Sequence, residues 1–147
     1  RYPKGCEADY DRSVFKAVDK DNTVFATDCE DAEITIITYG RITADVVKAA
    51  KISGKKIRII RLLKVNPVDF KTVLNLCNNT KILVVEEGIR RGGVGEAIAA
   101  AAGQADYKNT VSIHALESGF VPHGDIANIM AFCDLSPEKI AEKINML

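Results

Sequence analysis

Residues 81–103 read KILVVEEGIRRGGVGEAIAAAAG and carry the clearest sign of the fold. The apolar run 82–85 is typical of a strand in a parallel sheet that helices cover on both faces. Glu86 and Glu87 follow at the carboxyl end of this strand, where open α/β sheets meet ligands and partners. The glycines of 92–95 predict a close turn into an alanine-rich helix. The stretch therefore indicates a binding site or an interface on an α/β sheet.

Strand and helix patterns alternate on both sides of this stretch. Residues 14–25 predict a small hairpin around the turn signal Asp21-Asn22. The core strands are predicted at 34–39, 56–62, 81–85 and 110–114, and the helices at 43–53, 69–77, from about 95, 125–132 and from 137. This β-α-β-α-β-α-β-α-α order has short connections, so it predicts parallel strands joined by right-handed helical crossovers.

Composition limits the classes of function. The 147 residues fit one domain, and 20 basic residues balance 20 acidic ones, so charge favours neither a nucleic acid nor a membrane as partner. The four cysteines lie far apart without a CxxC pair, which predicts free thiols, no metal site and a cytoplasmic protein. No apolar run approaches the roughly 20 residues of a membrane span. The chain starts at Arg1 rather than Met, so we expect it to continue a longer protein.

The glycine loop at 92–95 matches neither common phosphate-binding motif. A Walker A loop would continue with Gly-Lys-Ser/Thr, and the dinucleotide fingerprint would place its third small residue differently. Glu96 in the first turn of the helix would also repel a pyrophosphate. These features favour a structural turn that packs a helix onto the sheet.

The charged residues after the strand can be interpreted in two ways. Glu86 and Glu87 are adjacent in a strand and should point to opposite faces, so they cannot easily share one reacting centre. Pairing with Arg90, Arg91 or a partner subunit is favoured, although two arginines could also clamp an anion. Arg41, which follows a strand and precedes a helix, could hold an anion or form a salt bridge.

The two histidines lack the neighbours that catalysis would need. His123 lies in a loop without a serine or cysteine in a nucleophile context, which favours a surface or interface position. His114 lies on a predicted strand and is expected to be partly buried with its hydrogen bonds satisfied.

Taken together, several motifs resemble the carboxyl-terminal third of thiamine-diphosphate enzymes of the transketolase class, and within it the 1-deoxy-D-xylulose-5-phosphate synthases. The matching segments are Arg-Tyr-Pro-Lys-Gly at 1–5, the strand at 34–40 with Arg41, the Glu-Glu and Gly-Gly-Val-Gly pieces of 81–95, Phe-Val-Pro-His-Gly at 120–124, and Leu-Ser-Pro-Glu-Lys-Ile at 135–140. The first motif favours the synthases over the similar β-subunits of 2-oxo-acid dehydrogenases.

This resemblance implies a three-layer α/β/α domain with a five-stranded, mostly parallel sheet and one antiparallel strand. Residues 1–30 would hold the tail of a preceding pyrimidine-binding domain with a linker and hairpin, and residues 31–147 a transketolase-type C-terminal domain. Thiamine diphosphate and Mg²⁺ would bind to other domains of the full-length enzyme. No catalytic, cofactor or metal residue is therefore expected in this chain.

The resemblance also implies a reaction, in which pyruvate and glyceraldehyde 3-phosphate give 1-deoxy-D-xylulose 5-phosphate and CO2. Arg1 is the candidate for the acceptor's phosphate, because a guanidinium binds phosphate bidentately. Lys4 stands where the family usually has Arg, and it lacks that fork. This chain alone is expected to be inactive and to contact other domains and a second subunit of a homodimer, through Glu86, Glu87 and the two arginines at 90–91.

Two alternatives remain. One is the C-terminal domain of a 2-oxo-acid dehydrogenase E1 β-subunit. The other is a stand-alone small-ligand or regulatory α/β module, which would need a pocket at the carboxyl ends of the strands.

Overall fold

The computed structural model describes residues 9–117, 121 and 123–147. Strands and helices alternate along these residues. The strands are β1 (Phe15–Ala17), β2 (Val24–Thr27), β3 (Ile34–Tyr39), β4 (Ile57–Leu62), β5 (Lys81–Ile89) and β6 (Val111–Leu116). The α-helices are α1 (Thr43–Ser53), α2 (Phe70–Cys77), α3 (Val94–Gln104), α4 (Ile126–Phe132) and α5 (Pro137–Asn145). The order predicted for the core elements is confirmed.

One sheet contains all the described strands, in the order β1-β2-β4-β3-β5-β6. The neighbours β4, β3, β5 and β6 are parallel, whereas β2 is antiparallel to both β4 and β1. Only β2 among them runs against the others. The mostly parallel α/β sheet with one antiparallel strand is therefore confirmed, but it has six strands rather than five because the N-terminal hairpin adds β1 at its edge.

The carboxylate of Asp19 fixes the turn between β1 and β2. Asp19 accepts hydrogen bonds from the amides of Thr23 and Val24 at 2.9 and 2.8 Å, and from the Thr23 hydroxyl at 2.7 Å. Asn22 has a left-handed φ of 53°, a conformation that asparagine tolerates well. The hairpin predicted from the Asp21-Asn22 signal is therefore present, and it pairs with the core through β2 and β4.

Helices cover both faces of the sheet. On one face, α1, α4 and α5 pack through side chains that include Val46, Met130 and Ile140. On the other face, α2 and α3 pack through Val73 and Ile98. Each large aliphatic side chain buried in this way stabilises the fold by about 1.5–3 kcal/mol. The predicted three-layer α/β/α architecture is confirmed.

Among the element boundaries that differ from the sequence prediction, two concern the start of α1 and the end of β5. Thr43 is predicted to cap α1, but the N-cap is Ile42, and the Thr43 hydroxyl instead donates to a backbone carbonyl of the preceding turn. Strand β5 continues to Ile89 rather than ending at Val85, because Ile89 pairs with Leu116 of β6 after a bulge. Both glutamates of the quoted stretch therefore lie inside a strand.

β3 and β5 lie side by side, and their connections leave in opposite directions. Helix α1 leads from β3 to β4 on one face, and α3 leads from β5 to β6 on the other. Such a reversal forms a crevice at the carboxyl ends of the two strands, where open α/β sheets bind ligands. We call this place the switch-point crevice.

Candidate functional site

Glu86 fills the switch-point crevice from inside the protein. Its side chain is fully buried between β5 and the start of α3. Oε1 accepts a hydrogen bond from the amide of Gly95 at 3.0 Å, and Oε2 accepts one from the amide of Val94 at 3.0 Å. These amides belong to the first turn of α3, whose N–H groups have no partner within the helix and favour negative charge. The carboxylate therefore takes the position that a ligand's anionic group would occupy.

Tyr39 at the end of β3 completes the shell around this carboxylate. Its hydroxyl donates to Glu86 Oε2 at 2.7 Å. Burial, together with the hydrogen bond to Glu86, raises the pKa of the Tyr39 phenol, so the hydroxyl keeps its proton and remains a donor. The crevice between β3 and β5 is thus bridged by a buried polar contact.

Gly93 and Gly95, at the start of α3, are required by close approach rather than by unusual dihedral angles. A Cβ at Gly93 would lie 2.6 Å from Glu86 Oε1 and 2.8 Å from the Ile89 carbonyl oxygen. A Cβ at Gly95 would lie 2.7 Å from Cγ2 of Ile113 and 3.0 Å from Glu86 Oε1. The prediction of a tight structural turn is therefore confirmed, with Glu86 as the group that the glycines accommodate.

Glu96 also has a place in this turn. Its Oε2 accepts a hydrogen bond at 2.8 Å from the amide of Gly92, the residue before the N-cap Gly93. Gly92 has a φ of 73°, which favours glycine at this position. Three amides of the turn, those of Gly92, Val94 and Gly95, are thus bonded to the protein's own carboxylates Glu96 and Glu86.

Glu87 lies on the opposite face of β5 from Glu86, as predicted. Its Oε1 is 2.5 Å from Nη2 of Arg41, which follows β3. The Arg41 side chain is only 11% exposed and that of Glu87 is 33% exposed, so the pair is largely removed from water. Of the two alternatives for Arg41, the structure shows the salt bridge. A buried polar contact on one face of the sheet and an ion pair on the other thus connect β3 to β5.

Arg90 and Arg91 lie on the turn between β5 and α3. Arg90 donates from Nη2 to the carbonyl of Ile113 at 2.5 Å, and its Nε lies 3.4 Å from Glu117. Arg91 is exposed. Of the four predicted interface residues, Glu87 and the two arginines reach the surface. Glu86 is buried, so its carboxylate does not face a partner in this structure.

The remaining predicted residues lie apart from the crevice. Arg1 and Lys4 fall outside the described residues. His123 is exposed, and His114 on β6 is partly buried with its Nε2 2.7 Å from the carbonyl of Asp134, as expected for a satisfied histidine. Burial lowers the pKa of His114, and the positive charges of Lys143 and Arg90 lower it further, although its hydrogen bond to Asp134 raises it.

A surface cavity of about 320 Å³ lies beside β6 rather than at the crevice. His114, Leu116, Val121 and Phe132 are among the residues that line it. Within residues 9–117, 121 and 123–147, no group of three or more His, Cys, Asp or Glu could hold a metal ion. None of the helices in those ranges is both long enough and apolar enough to cross a bilayer.

The resemblance to thiamine-diphosphate enzymes raises the question whether the switch-point crevice could bind a diphosphate. Its residues do not fit one. A diphosphate would need the amides that Glu86 already uses, and it would meet the negative charge of Glu96. Around Glu86 the described residues place no nucleophile beside a base, and the amides of residues 92–95 already have acceptors inside the protein. The polar groups of the crevice bind one another and connect the strands.

The sequence did not indicate two of the partners at this site. The sequence predicts Tyr39 only as the end of a strand, and it predicts an anion or a salt bridge for Arg41 without indicating the partner. In the structure they bind Glu86 and Glu87, 47 and 46 residues away. The alternation of β5 assigned the two glutamates to opposite faces. Only the adjacency of β3 and β5 in the sheet shows which side chains meet them.

Comparison with known proteins identifies the family. The family described as "Transketolase, C-terminal domain" matches residues 25–140. A pyruvate dehydrogenase E1 component subunit beta from Chaetosphaeridium globosum is 40% identical over 73 residues, which cover 47% of this chain and 22% of the relative. A 1-deoxy-D-xylulose-5-phosphate synthase from Cupriavidus metallidurans is 29% identical over 112 residues, covering 76% and 17%.

A second such synthase, from Caldanaerobacter subterraneus, is 27% identical over an alignment of 150 residues, covering 98% of this chain and 24% of the relative. This chain spans about a fifth of the length of these curated relatives.

Solved structures agree on the fold. A split-gene transketolase described as an inactive beta4 tetramer superposes with a TM-score of 0.68 at 23% identity, covering 83% of this chain and 41% of that one. The transketolase of Campylobacter jejuni superposes with a TM-score of 0.59 at 14% identity, covering 88% and 19%. The resemblance seen in the sequence is confirmed, and the chain belongs to the transketolase C-terminal domain family.

Proposed function

We propose that this chain is the C-terminal domain of a 1-deoxy-D-xylulose-5-phosphate synthase-like enzyme, with a structural role and a role in subunit contacts. The observation that carries the proposal is the closed switch-point crevice. Glu86 occupies the amides at the start of α3, and Glu87 is paired with Arg41, so neither carboxylate is left for a substrate. The synthases that align with most of this chain support the choice of parent enzyme.

In the longer protein, the chemistry would take place elsewhere. The proposed reaction joins a two-carbon unit from pyruvate to glyceraldehyde 3-phosphate with loss of CO2, in the cytoplasm. Thiamine diphosphate, which supplies a carbanion-stabilising thiazolium when bound, and Mg²⁺ would be held by other domains. Arg1 remains our candidate for the acceptor's phosphate. We assign residues 1–30 to the end of the preceding domain with its linker and hairpin, and 31–147 to the C-terminal domain.

The surface at the end of β5 supports the contact role. Ile89 is 57% exposed beside Arg90 and Arg91, and its strand partner Leu116 lines the same cavity as Phe132, which is 69% exposed. Exposed apolar side chains next to arginines are typical of protein interfaces. We propose that this surface, with Glu87 at its edge, meets another domain or the second subunit of a homodimer.

Calorimetry on the 147-residue chain tests the proposal. Titration with thiamine diphosphate in the presence of Mg²⁺ should give no binding heat, and pyruvate with glyceraldehyde 3-phosphate should give no turnover. A longer version that includes the coding sequence upstream of Arg1 is the matched positive control. Saturable binding of the cofactor by the 147-residue chain would overturn the proposal.

The E1 β-subunit alternative is favoured by one observation, the 40% identity to a pyruvate dehydrogenase subunit over 73 residues. The synthase proposal requires a diphosphate-binding domain on the same polypeptide upstream of Arg1. A reading frame that lacks this domain would favour the β-subunit instead. The third alternative, a stand-alone ligand module, needs an open crevice, which Glu86 closes. A reading frame that extends far upstream would exclude it.

A further inference from the structure

We propose that the turn between β5 and α3 is a carboxylate-binding site whose resident ligand is the side chain of Glu86. Glu86 would then be a positioning residue, which fixes the amides of Val94 and Gly95 at the point where the turn becomes helix. This inference does not rest on the proposed function.

The contacts of Glu86 are those of a bound ligand. The two oxygens accept from successive amides, Gly95 and Val94, each at 3.0 Å, and Oε2 also accepts from the Tyr39 hydroxyl at 2.7 Å. The group is fully buried, so no water competes for these donors. Two amides of a helix N-terminus that point at one anion form the arrangement by which helices bind free carboxylates and phosphates.

The walls of the site fit a carboxylate closely. Gly93 and Gly95 leave no room for a Cβ beside Oε1, and a Cβ at Gly88 would lie 3.7 Å from Oε2. Ile113 closes the side towards β6, with Cγ2 2.7 Å from the position of a Cβ on Gly95. A planar carboxylate fits this space, whereas a tetrahedral phosphate with its third and fourth oxygens would meet these walls.

The turn itself is anchored at both ends by carboxylates. The amide of Gly93 donates to the carbonyl of Arg90 at 3.1 Å and closes the turn, and Glu96 holds the amide of Gly92. Glu86 fixes the next two amides, at the point where the turn becomes helix. Loss of Glu86 therefore frees the C-terminal end of the turn while leaving Glu96 in place.

The test uses Glu86→Ala with acetate as the probe. Acetate supplies the two carbons and two oxygens that this substitution removes. In chloride buffer, hydrogen exchange at the amides of Val94 and Gly95 should be faster than in the unsubstituted chain by about tenfold, the effect of one charge-assisted hydrogen bond. In acetate buffer of equal ionic strength, that exchange should slow again. Equal exchange in acetate and chloride would overturn the proposal.

Two control variants separate ligand replacement from general stabilisation. Glu86→Gln keeps the volume but places an amide NH2 against a backbone donor, so its exchange should not respond to acetate. Glu87→Ala removes a carboxylate on the opposite face and should not respond either. An acetate response in either control would count against the site. If Glu86→Ala does not fold in chloride, its refolding yield decides, since equal yields in the two buffers overturn the proposal.

The acetate experiment tests the carboxylate site independently of the proposed function. Cofactor binding by the chain would refute the structural role without changing the exchange at Val94 and Gly95. Conversely, loss of the acetate response would leave the family and the parent reaction untouched.

Discussion

The Tyr39 hydroxyl donates to the Glu86 carboxylate at 2.7 Å and thereby joins the carboxyl ends of β3 and β5. A hydrogen bond to a charged group contributes more than one between neutral groups, because the charge strengthens it in a site without water. We expect Tyr39→Phe to lower the free energy of unfolding by about 1.5–3 kcal/mol, measured by urea denaturation.

The matched control for Tyr39 is Tyr107→Phe. Tyr107 donates to a neutral acceptor, the carbonyl of Thr80, at 2.5 Å. Its loss should cost only about 1 kcal/mol, the usual effect of a neutral hydrogen bond. Equal losses of stability for the two substitutions would mean that the hydrogen bond from Tyr39 to the Glu86 carboxylate is no stronger than a neutral one.

Gly93, Gly95 and Gly103 lie in or next to α3, and substitution by alanine is expected to destabilise the protein at the first two positions and to stabilise it at the third. Gly93→Ala brings a Cβ against the Ile89 carbonyl oxygen and Glu86, and Gly95→Ala brings one against Ile113, so each should destabilise by about 1–3 kcal/mol. Gly93→Ala should cost more, because a backbone atom yields less than the end of a side chain. Thermal unfolding followed by circular dichroism measures both.

Gly103→Ala is the control within the same helix. A Cβ there meets no atom within 4 Å, and alanine is the better helix former by about 0.5–1 kcal/mol. The variant should therefore unfold at a higher temperature than the unsubstituted chain. A loss of stability at Gly103 as large as that at Gly93 would show that helix packing, not the Glu86 site, limits these positions.

The helices and strands could be predicted from local sequence signals, because turns and helix ends depend on residues that are close together in the chain. Gly40 and Gly54 adopt left-handed φ values of 68° and 66° directly after β3 and α1, which end at residues 39 and 53 as predicted. Asp69 and Ser136 cap their helices with side-chain oxygens, as their residue types indicate.

Contacts between residues that are far apart in the sequence could not be predicted from these local signals. Glu86, Glu87 and Gly88 look like the end of a strand, yet β5 continues to Ile89 because its partner Leu116 is supplied by β6. Burial of Glu86 depends on Tyr39 and on the helix that follows, so its place inside the domain could not be predicted from residue type. The closed site therefore emerges only when the sheet order is known.

The lowered pKa of His114 predicts that the free energy of unfolding decreases when the solution is acidified. Burial lowers its pKa in the folded protein below the ordinary value of 6.5, so the unfolded chain binds the proton more readily. The stabilising effect of the neutral form is fully present above about pH 6.5 and declines as the pH falls through that value, by at most about 1.4 kcal/mol per pH unit. Urea denaturation between pH 5 and 7.5 measures this slope.

His114→Gln should flatten the slope, because glutamine does not titrate and its amide can still donate to the Asp134 carbonyl. His123→Gln, at an exposed histidine, is the matched control and should keep the slope of the unsubstituted chain. If both variants retain the full slope, His114 is not its source.

We expect a large coupling energy between Arg41 and Glu87, compared with ion pairs that are fully exposed to solvent. The two side chains are 11% and 33% exposed, so the attraction is screened less than between fully exposed charges. A double-mutant cycle with Arg41→Gln and Glu87→Gln should give a coupling energy of about 1–3 kcal/mol, above the 0.2–1 kcal/mol of exposed pairs. A coupling within the exposed range would mean that water screens the pair.

The same pair allows the contact role of Glu87 to be tested without confusing it with folding. Under the proposed function, Glu87→Lys in a full-length synthase-like enzyme should weaken dimer formation more than it changes the KM for pyruvate, but it also places a lysine beside the largely buried side chain of Arg41. The double variant Arg41→Glu/Glu87→Lys restores an ion pair inside the domain while keeping the reversed charge at the surface. If Glu87 contacts the partner subunit, sedimentation equilibrium should show a weakened dimer for the double variant although its stability returns. If Glu87 acts only on Arg41, stability and dimer formation should return together, which would remove Glu87 from the interface.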